Sequence, residues 1–379
     1  MYRGRFGIIA SVRRALAPEP PAPPPPPPLA AEPPPDPAPE PDPPPPDHRP
    51  FVLALYRRLM RREPDAAELE HWAAVVGHLG HEAVLERFFT SGEYEARHGV
   101  NDRSEFQPGH YYSPVVDPDA LRASGFRVRR DEADEASLAG IDLRPEAMVD
   151  LWRRNLEVIR AAPFPDREAP PRRYYADNDV YAWGDALILL AMFNELRPRR
   201  VVEVGSGFSS ACMLDICDDL RLPTRFTFVE PYPDRLYARL SPADRARCEI
   251  LPIPVQQLPP QVCDALEADD ILFIDSTHVS KTGSDVNHEL FEILPRLKPG
   301  VVVHFHDTFY PFEYPESWIF GARRSWNELY ILRAFLMDNP RYEVLFFNDY
   351  FAARHPREAA LAPRFQINPG GGLWLRKVG

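Results

Sequence analysis

From residue 200 onward, short runs of β-branched and aromatic residues alternate with apolar positions spaced three and four apart. The runs predict strands at 201–204, 225–229, 249–253, 271–274, 301–305, 343–347 and 372–376. The three-and-four spacing predicts helices between them, among them 286–294 and 326–337. Two more helices precede the first strand. One spans 145–161 with Met148, Leu151, Trp152, Leu156 and Ile159 on one face. The other spans 184–196 and must stop before Pro198, which pushes its predecessor out of the helical region. Strands alternating with helices imply an α/β domain whose mostly parallel, seven-stranded sheet is doubly wound, with helices on both faces. Residues 348–371 separate the last two strands, which are expected to form an antiparallel edge.

The N-terminal part follows other rules. Residues 18–50 hold 20 of the 46 prolines, with acids between them, so 1–50 is expected to be a disordered, solvated spacer. Residues 51–98 read as a small all-α unit. Val52, Leu55, Tyr56 and Leu59 recur at helical spacing, then Leu69, Trp72, Val75 and Val76, then Val84, Leu85, Phe88 and Phe89. Asp65 with Glu68 three residues on marks the start of the second stripe as an N-cap. His71, His78 and His81 read as surface and loop histidines. The third unit is 106–379, with 106–200 as a helical lead-in.

Charge narrows the partners. A net charge of −12 argues against nucleic acid. The only lysines are Lys281, Lys298 and Lys377, so arginine supplies nearly all the positive charge. Cys212, Cys217, Cys248 and Cys263 form no CxxC pair and no zinc-finger spacing, which predicts reduced thiols and a cytoplasmic protein. No run reaches the roughly 20 apolar residues of a membrane helix. The apolar stretch Phe6–Ala10 is too short for a secretory core.

The candidate chemistry starts where the first strand ends, in Glu203-Val204-Gly205-Ser206-Gly207-Phe208-Ser209-Ser210. Strand, glycine turn and helix in that order make a Rossmann-like nucleotide site, with backbone N–H groups at the helix start facing the ligand. Glu230, at the end of the second strand, occupies the place of a ribose-binding acid. A dinucleotide fold wants glycine or alanine where Ser210 stands, and rarely has a carboxylate such as Glu203 within the first strand. A nicotinamide-dependent oxidoreductase is the alternative these features disfavour, and a non-catalytic scaffold is the other.

Glu203, Gly205 and Gly207 followed by Glu230 resemble the first two motifs of the class I S-adenosylmethionine-dependent methyltransferases. The serine-rich form of the turn, Asp177-Asn178, the Gly184-Asp185 helix start, Phe273 to His278 and Phe305-His306-Asp307 are similar to one bacterial branch of them. The resemblance covers 106–379. It implies S-adenosylmethionine held by Glu203, Gly205, Ser206, Gly207, Glu230 and Asp275, and a methyl acceptor facing Asp275, His278, His306 and Asp307. Any of those four is a candidate base for a hydroxyl acceptor. The resemblance also implies a possible Mg²⁺ on Asp275 and Asp307, although Thr308 stands where metal-dependent relatives often place asparagine. Residues 51–98 resemble a bacterial helical domain of unknown function related to phycobilisome-linker repeats, which implies a protein-binding or tethering role.

Three further segments have specific readings. His304 is expected to be a hydrogen-bonded core residue, since its strand is buried on both faces. Ser280 to Asp285 lacks the upstream glycine of a phosphate loop and reads as a loop feeding a helix, with Lys281 a candidate contact for an acidic acceptor. The aromatic run Phe309 to Phe320 is either a lid over the acceptor or a flap packed on the fold. A saccharide or other small polar acceptor is the expected substrate, with O-methylation the expected reaction.

Overall fold

The computed structural model describes residues 46–60, 62–89, 91, 93–94, 106, 108–128 and 138–379. The expected spacer at 1–50 falls almost wholly outside them. The chain divides into two compact units, residues 1–99 and 100–379.

In the first unit, helix Arg49–Leu55 continues as the π-helical turn Tyr56–Met60 and packs on helix Ala66–Phe89. Val52, Tyr56, Met60, Val76, Val84 and Phe88 form its core, with Trp72 against Phe88. The expected cap is present: Glu68 N–H donates to Asp65 Oδ1 at 2.8 Å, and Asp65 N–H donates back to Glu68 Oε2 at 2.9 Å. The second and third stripes lie on one helix broken only at Gly80, whose φ is 82°. Arg62 reaches both Glu68 and Glu93, at 2.6 and 2.7 Å. His71, His78 and His81 are exposed, as read.

The second unit is built on a seven-stranded sheet. Its strands are β1 Arg200–Val204, β2 Arg225–Val229, β3 Glu249–Leu251, β4 Ile271–Ile274, β5 Val302–Phe305, β6 Tyr342–Phe347 and β7 Leu373–Lys377. Their order is β3-β2-β1-β4-β5-β7-β6. The first five are mutually parallel, while β7 runs antiparallel to both β5 and β6. The expected antiparallel edge is therefore real. Its chain-terminal strand lies inside and β6 is outermost.

Every residue of β4 and β5 is buried, and β1 is open only at Arg200. Continuous apolar runs of this kind are what a sheet covered on both faces requires. Helix Trp183–Leu196 is buried along most of its length. Helix Pro145–Arg160 packs beside it and buries Met148, Leu151, Trp152 and Ile159. The 286–294 stretch is irregular: a short helix Asp285–His288 passes into a π-helical turn, then a 3₁₀ turn at Leu294–Arg296.

β1 has β2 on one side and β4 on the other, so the order reverses there. In open α/β sheets a ligand crevice forms outside the carboxyl ends of the strands at such a reversal.

Candidate active site

A cavity of about 460 Å³ opens at those carboxyl ends. Gly205, Ser206 and Gly207 after β1, Glu230 after β2, Asp275 to His278 after β4, and His306 and Asp307 after β5 line it together. A second cavity of about 410 Å³ shares Gly205, Glu230 and Asp275 to Thr277, and extends along Tyr232, Val255 and Lys281. All the expected site residues except Glu203 meet in the first cavity.

The turn after β1 is fixed from two sides. Gly205 has φ 81°, and a Cβ there would lie 1.8 Å from the Asp275 carbonyl oxygen, so only glycine fits. Ser206 N–H donates to Glu230 Oε2 at 3.3 Å, and Tyr232 N–H donates to Oε1 at 2.8 Å. These bonds hold the Glu230 carboxylate against the glycine turn.

Glu203 corrects the sequence reading. It is fully buried behind the turn and is not among the residues lining the cavity. Ser209 Oγ donates to it at 2.6 Å, Ser210 Oγ donates to its other oxygen, and Ser210 Oγ in turn accepts from Gly207 N–H at 2.9 Å. Burial raises its carboxyl pKa to about 8. Glu203 braces the helix start through Ser209 and Ser210.

The acidic centre is denser than the sequence suggests. His278 Nε2 lies 3.5 Å from Asp275 Oδ1 and 3.4 Å from Asp307 Oδ2. Its Nδ1 is 2.8 Å from Glu328 Oε2, on the buried first turn of helix Glu328–Leu336. His306 Nδ1 lies 3.3 Å from Asp275 and 3.5 Å from Asp307, while its Nε2 is 3.5 Å from buried Asp185. His278 and Asp307 both hold left-handed backbone, φ 60° and 53°. Strained non-glycine residues of this kind gather at functional sites.

Burial disfavours the charged form of His278, but the carboxylates of Asp275 and Glu328 outweigh it and raise the imidazole pKa to about 10. Burial likewise opposes the charge on His306, and Asp275 and Asp307 overcome it, so its pKa also rises. Asp275 is lowered despite its burial, because both imidazoles face it. Asp307 is raised, chiefly by burial.

Donor atoms of Asp275, His278 and Asp307 all lie within 4.8 Å of one another, a spacing that fits one metal ion. Glu328 behind His278 completes a carboxylate–histidine arrangement of the type that orients metal-ligating imidazoles.

The remaining expectations divide. His304 is a core residue, but stacking replaces the expected hydrogen bond: its ring lies 4.1 Å from Phe273 and 4.3 Å from Trp374, with neither nitrogen bonded among the described residues. Burial lowers its pKa and keeps it neutral. Lys281 lines the second cavity and not the first. Its loop feeds a helix, as read, with Ser284 accepting from Asn287 N–H at 3.2 Å. Of the aromatic run, Tyr310 and Phe312 pack into the core beside Phe347, and Tyr314 and Ile319 form a separate cluster with Leu329. Trp318 alone of the run lines the cavity, joined there by Arg324 and Trp326. The run is thus mostly a packed flap, with one indole at the site.

Sequence reasoning gave no site role to Glu328, Arg235, Arg324 or Trp326; it named Asp185 only as a helix start and Trp318 only as part of the aromatic run. Glu328 lies fifty residues from His278, and no local pattern links them. Asp177-Asn178 did carry a signal. Asn178 Oδ1 accepts from Val180 and Tyr181 N–H groups at 3.0 and 2.7 Å, folding a loop that presents Asp179, Val180 and Tyr181 to the cavity.

Residues 202–308 match a methyltransferase domain, a span that runs from β1 through the glycine turn to Asp307 and Thr308. The chain belongs to the S-adenosylmethionine-dependent methyltransferases. It is 32% identical over 169 residues to an uncharacterized protein of Archaeoglobus fulgidus, covering 43% of this chain and 74% of that protein. Residues 45–98 match a domain of unknown function (DUF4214).

Among solved structures, the methyltransferase is similar to the S-adenosylhomocysteine-bound methyltransferase PaMTH1 of Podospora anserina, at 16% identity and TM-score 0.34, covering 67% of this chain and 98% of that one. It is also similar to the O-methyltransferase TomG of Streptomyces achromogenes, solved with S-adenosylmethionine, at 13% identity and TM-score 0.34, covering 67% and 100%. The match of residues 202–308 to a methyltransferase domain makes S-adenosylmethionine the cofactor, and the nicotinamide alternative falls away. No helix among the described residues is long and apolar enough to cross a membrane.

Proposed function

We propose that the enzyme methylates a hydroxyl oxygen, with a saccharide or another small polar molecule as acceptor. One observation carries this reading: the glycine turn with Glu230 and the carboxylate–imidazole centre of Asp275, His278, His306 and Asp307 line a single cavity. Glu230 accepts the ribose hydroxyls, and the second cavity takes the adenine. The backbone of Gly205 to Gly207 lies along the methionine end. Arg235, whose Cδ lies 3.1 Å from where a Gly207 Cβ would sit, supplies a counter-charge for the methionine carboxylate. Glu203 acts from behind by holding the turn.

Transfer is a displacement at the methyl carbon. The acceptor oxygen bonds to that carbon as the carbon–sulfur bond breaks, and the electron pair leaves on sulfur as S-adenosylhomocysteine. The acceptor proton passes to Asp307, the more basic of the two cavity carboxylates. His278 and His306, held as imidazolium, offset negative charge gathering on the oxygen. Bringing acceptor and donor together in one cavity supplies the alignment such a step needs.

Asp275, His278 and Asp307 also suit a divalent cation, Mg²⁺ or Mn²⁺. Such an ion would supply Lewis-acid polarisation of the acceptor oxygen. To ligate it, His278 must release its proton, while Glu328 keeps its ring oriented.

In this reading residues 106–379 are the catalytic domain, 51–98 a module that binds a protein partner, and 1–50 a spacer, in a cytoplasmic enzyme. The test is transfer of a radiolabelled methyl group from S-adenosylmethionine to hydroxylated acceptors. The reading expects an alkali-stable ether. A base-labile methyl ester, or label on nitrogen, contradicts it.

A further inference from the structure

The wall of the cavity facing the acidic centre carries a cation that the transfer chemistry does not use. The Arg324 guanidinium carbon lies 4.2 Å from the Trp318 ring centroid and 4.3 Å from that of Trp326. The two indoles are 5.4 Å apart at 85°, so the guanidinium sits in the corner they form. All three residues line the cavity. Its sequence neighbour Arg323 pairs with Asp119, but no carboxylate among the described residues forms an ion pair with Arg324.

With the ring planes 85° apart, at most one indole lies flat on the guanidinium, and with no side-chain hydrogen bond from Arg324 among the described residues an N–H edge is left to donate. That edge is a fork matched to two oxygens of a carboxylate or phosphate. Packing against the rings also limits the conformational freedom the arginine loses when it binds.

The cavity's other arginine, Arg235, is given above to the methionine carboxylate, and its two imidazoles are paired with the carboxylates of the centre. Asp275 and Asp307 lie at the centre and Asp179 on the rim, in a chain of net charge −12. An anionic acceptor entering this cavity needs a local cation, whereas a neutral one does not. The spacing is informative as well. Trp326 packs on His278 with centroids 4.4 Å apart and planes tilted by 38°, and contacts Arg324 through the same indole. A single indole therefore separates the acidic centre from the guanidinium, about the breadth of one sugar ring.

We propose that Arg324 is a specificity residue for an acceptor that carries an anionic group roughly one ring away from the hydroxyl to be methylated. A hexuronate has that shape: its hydroxyl meets Asp275 and Asp307, its ring spans the cavity beside Trp326, and its carboxylate meets Arg324. The proposal rests on the methyl-transfer reading above and adds the chemical class of the acceptor.

The test uses calorimetry on the full chain. S-adenosylhomocysteine is titrated first; glucuronate, galacturonate and inorganic phosphate are then compared with glucose and galactose on the loaded protein. Wild type is expected to bind the uronates at least about tenfold more tightly than the neutral sugars. Arg324→Gln is expected to erase that preference without changing S-adenosylhomocysteine affinity, and Arg324→Lys to restore part of it. Phosphate that binds through Arg324 more tightly than the uronates would assign the site to phosphorylated acceptors, against the hexuronate form of the proposal. Equal binding of acid and neutral sugars by wild type, or an acid preference that survives Arg324→Gln, overturns it. Wild type that fails to bind S-adenosylhomocysteine contradicts the methyl-transfer reading instead, so the two failures are distinct.

Discussion

Gly205 and Asp275 touch backbone to backbone: a Cβ on Gly205 would lie 1.8 Å from the Asp275 carbonyl oxygen. This contact ties the cofactor turn after β1 to the acidic centre after β4. Gly205→Ala is therefore expected to do more than strain a φ of 81°, which alone costs about 1–3 kcal/mol. It should push the turn off β4, lower Tm by several degrees and abolish S-adenosylmethionine binding. Unchanged melting and unchanged affinity would show that the turn has slack the structure does not contain.

Glu203 gives a stability prediction with a defined sign. Its folded pKa of about 8 lies above its ordinary 4.5, so the native state holds the proton more tightly than the unfolded chain. The stability this contributes is full below about pH 4.5 and is lost as pH rises through about 8. Glu203→Gln keeps the shape without the titration. Chemical denaturation across this window should show wild type weakening relative to the variant as pH rises. Parallel curves would mean that Glu203 is ionised throughout.

Asp307→Asn tests the proton acceptor. Methyl transfer should fall by about 10²–10⁴, the usual worth of a positioned base, while S-adenosylmethionine binds as before. Turnover near the wild-type rate would remove Asp307 from that role.

Glu328 makes no contact with the cofactor turn and acts only through His278, at 2.8 Å. In Glu328→Gln the His278 pKa should fall from about 10 toward its ordinary 6.5, followed by NMR titration of the ring. Mn²⁺ affinity should drop by about 10–100-fold, as for other lost partners of metal-bound histidines. An unmoved His278 titration would mean that Asp275 and Asp307 alone hold the proton.

The sheet was legible in the sequence because its central strands are buried on both faces. Val201 to Val204, Ile271 to Ile274 and Val302 to Phe305 stand out as apolar runs from local composition alone. Residues at strand ends were legible for the same reason: once the strands are placed, topology carries Gly205, Glu230, Asp275 and Asp307 to one rim. Side-chain direction was not legible. Glu203 lies two residues from Gly205, yet its side chain is buried behind the turn on Ser209 and Ser210. Residues supplied from a distance left no local trace either, as with Glu328 and Arg324, which a loop and a helix after β5 bring back to the cavity.

The most direct measurement is a crystal structure of the enzyme with S-adenosylhomocysteine. The account predicts ribose hydroxyls on Glu230, backbone of 205–207 along the homocysteine, and the sulfur directed at the side of the cavity where Asp275 and Asp307 emerge. A nucleoside bound elsewhere, or one whose sulfur faces away from those two carboxylates, would contradict it.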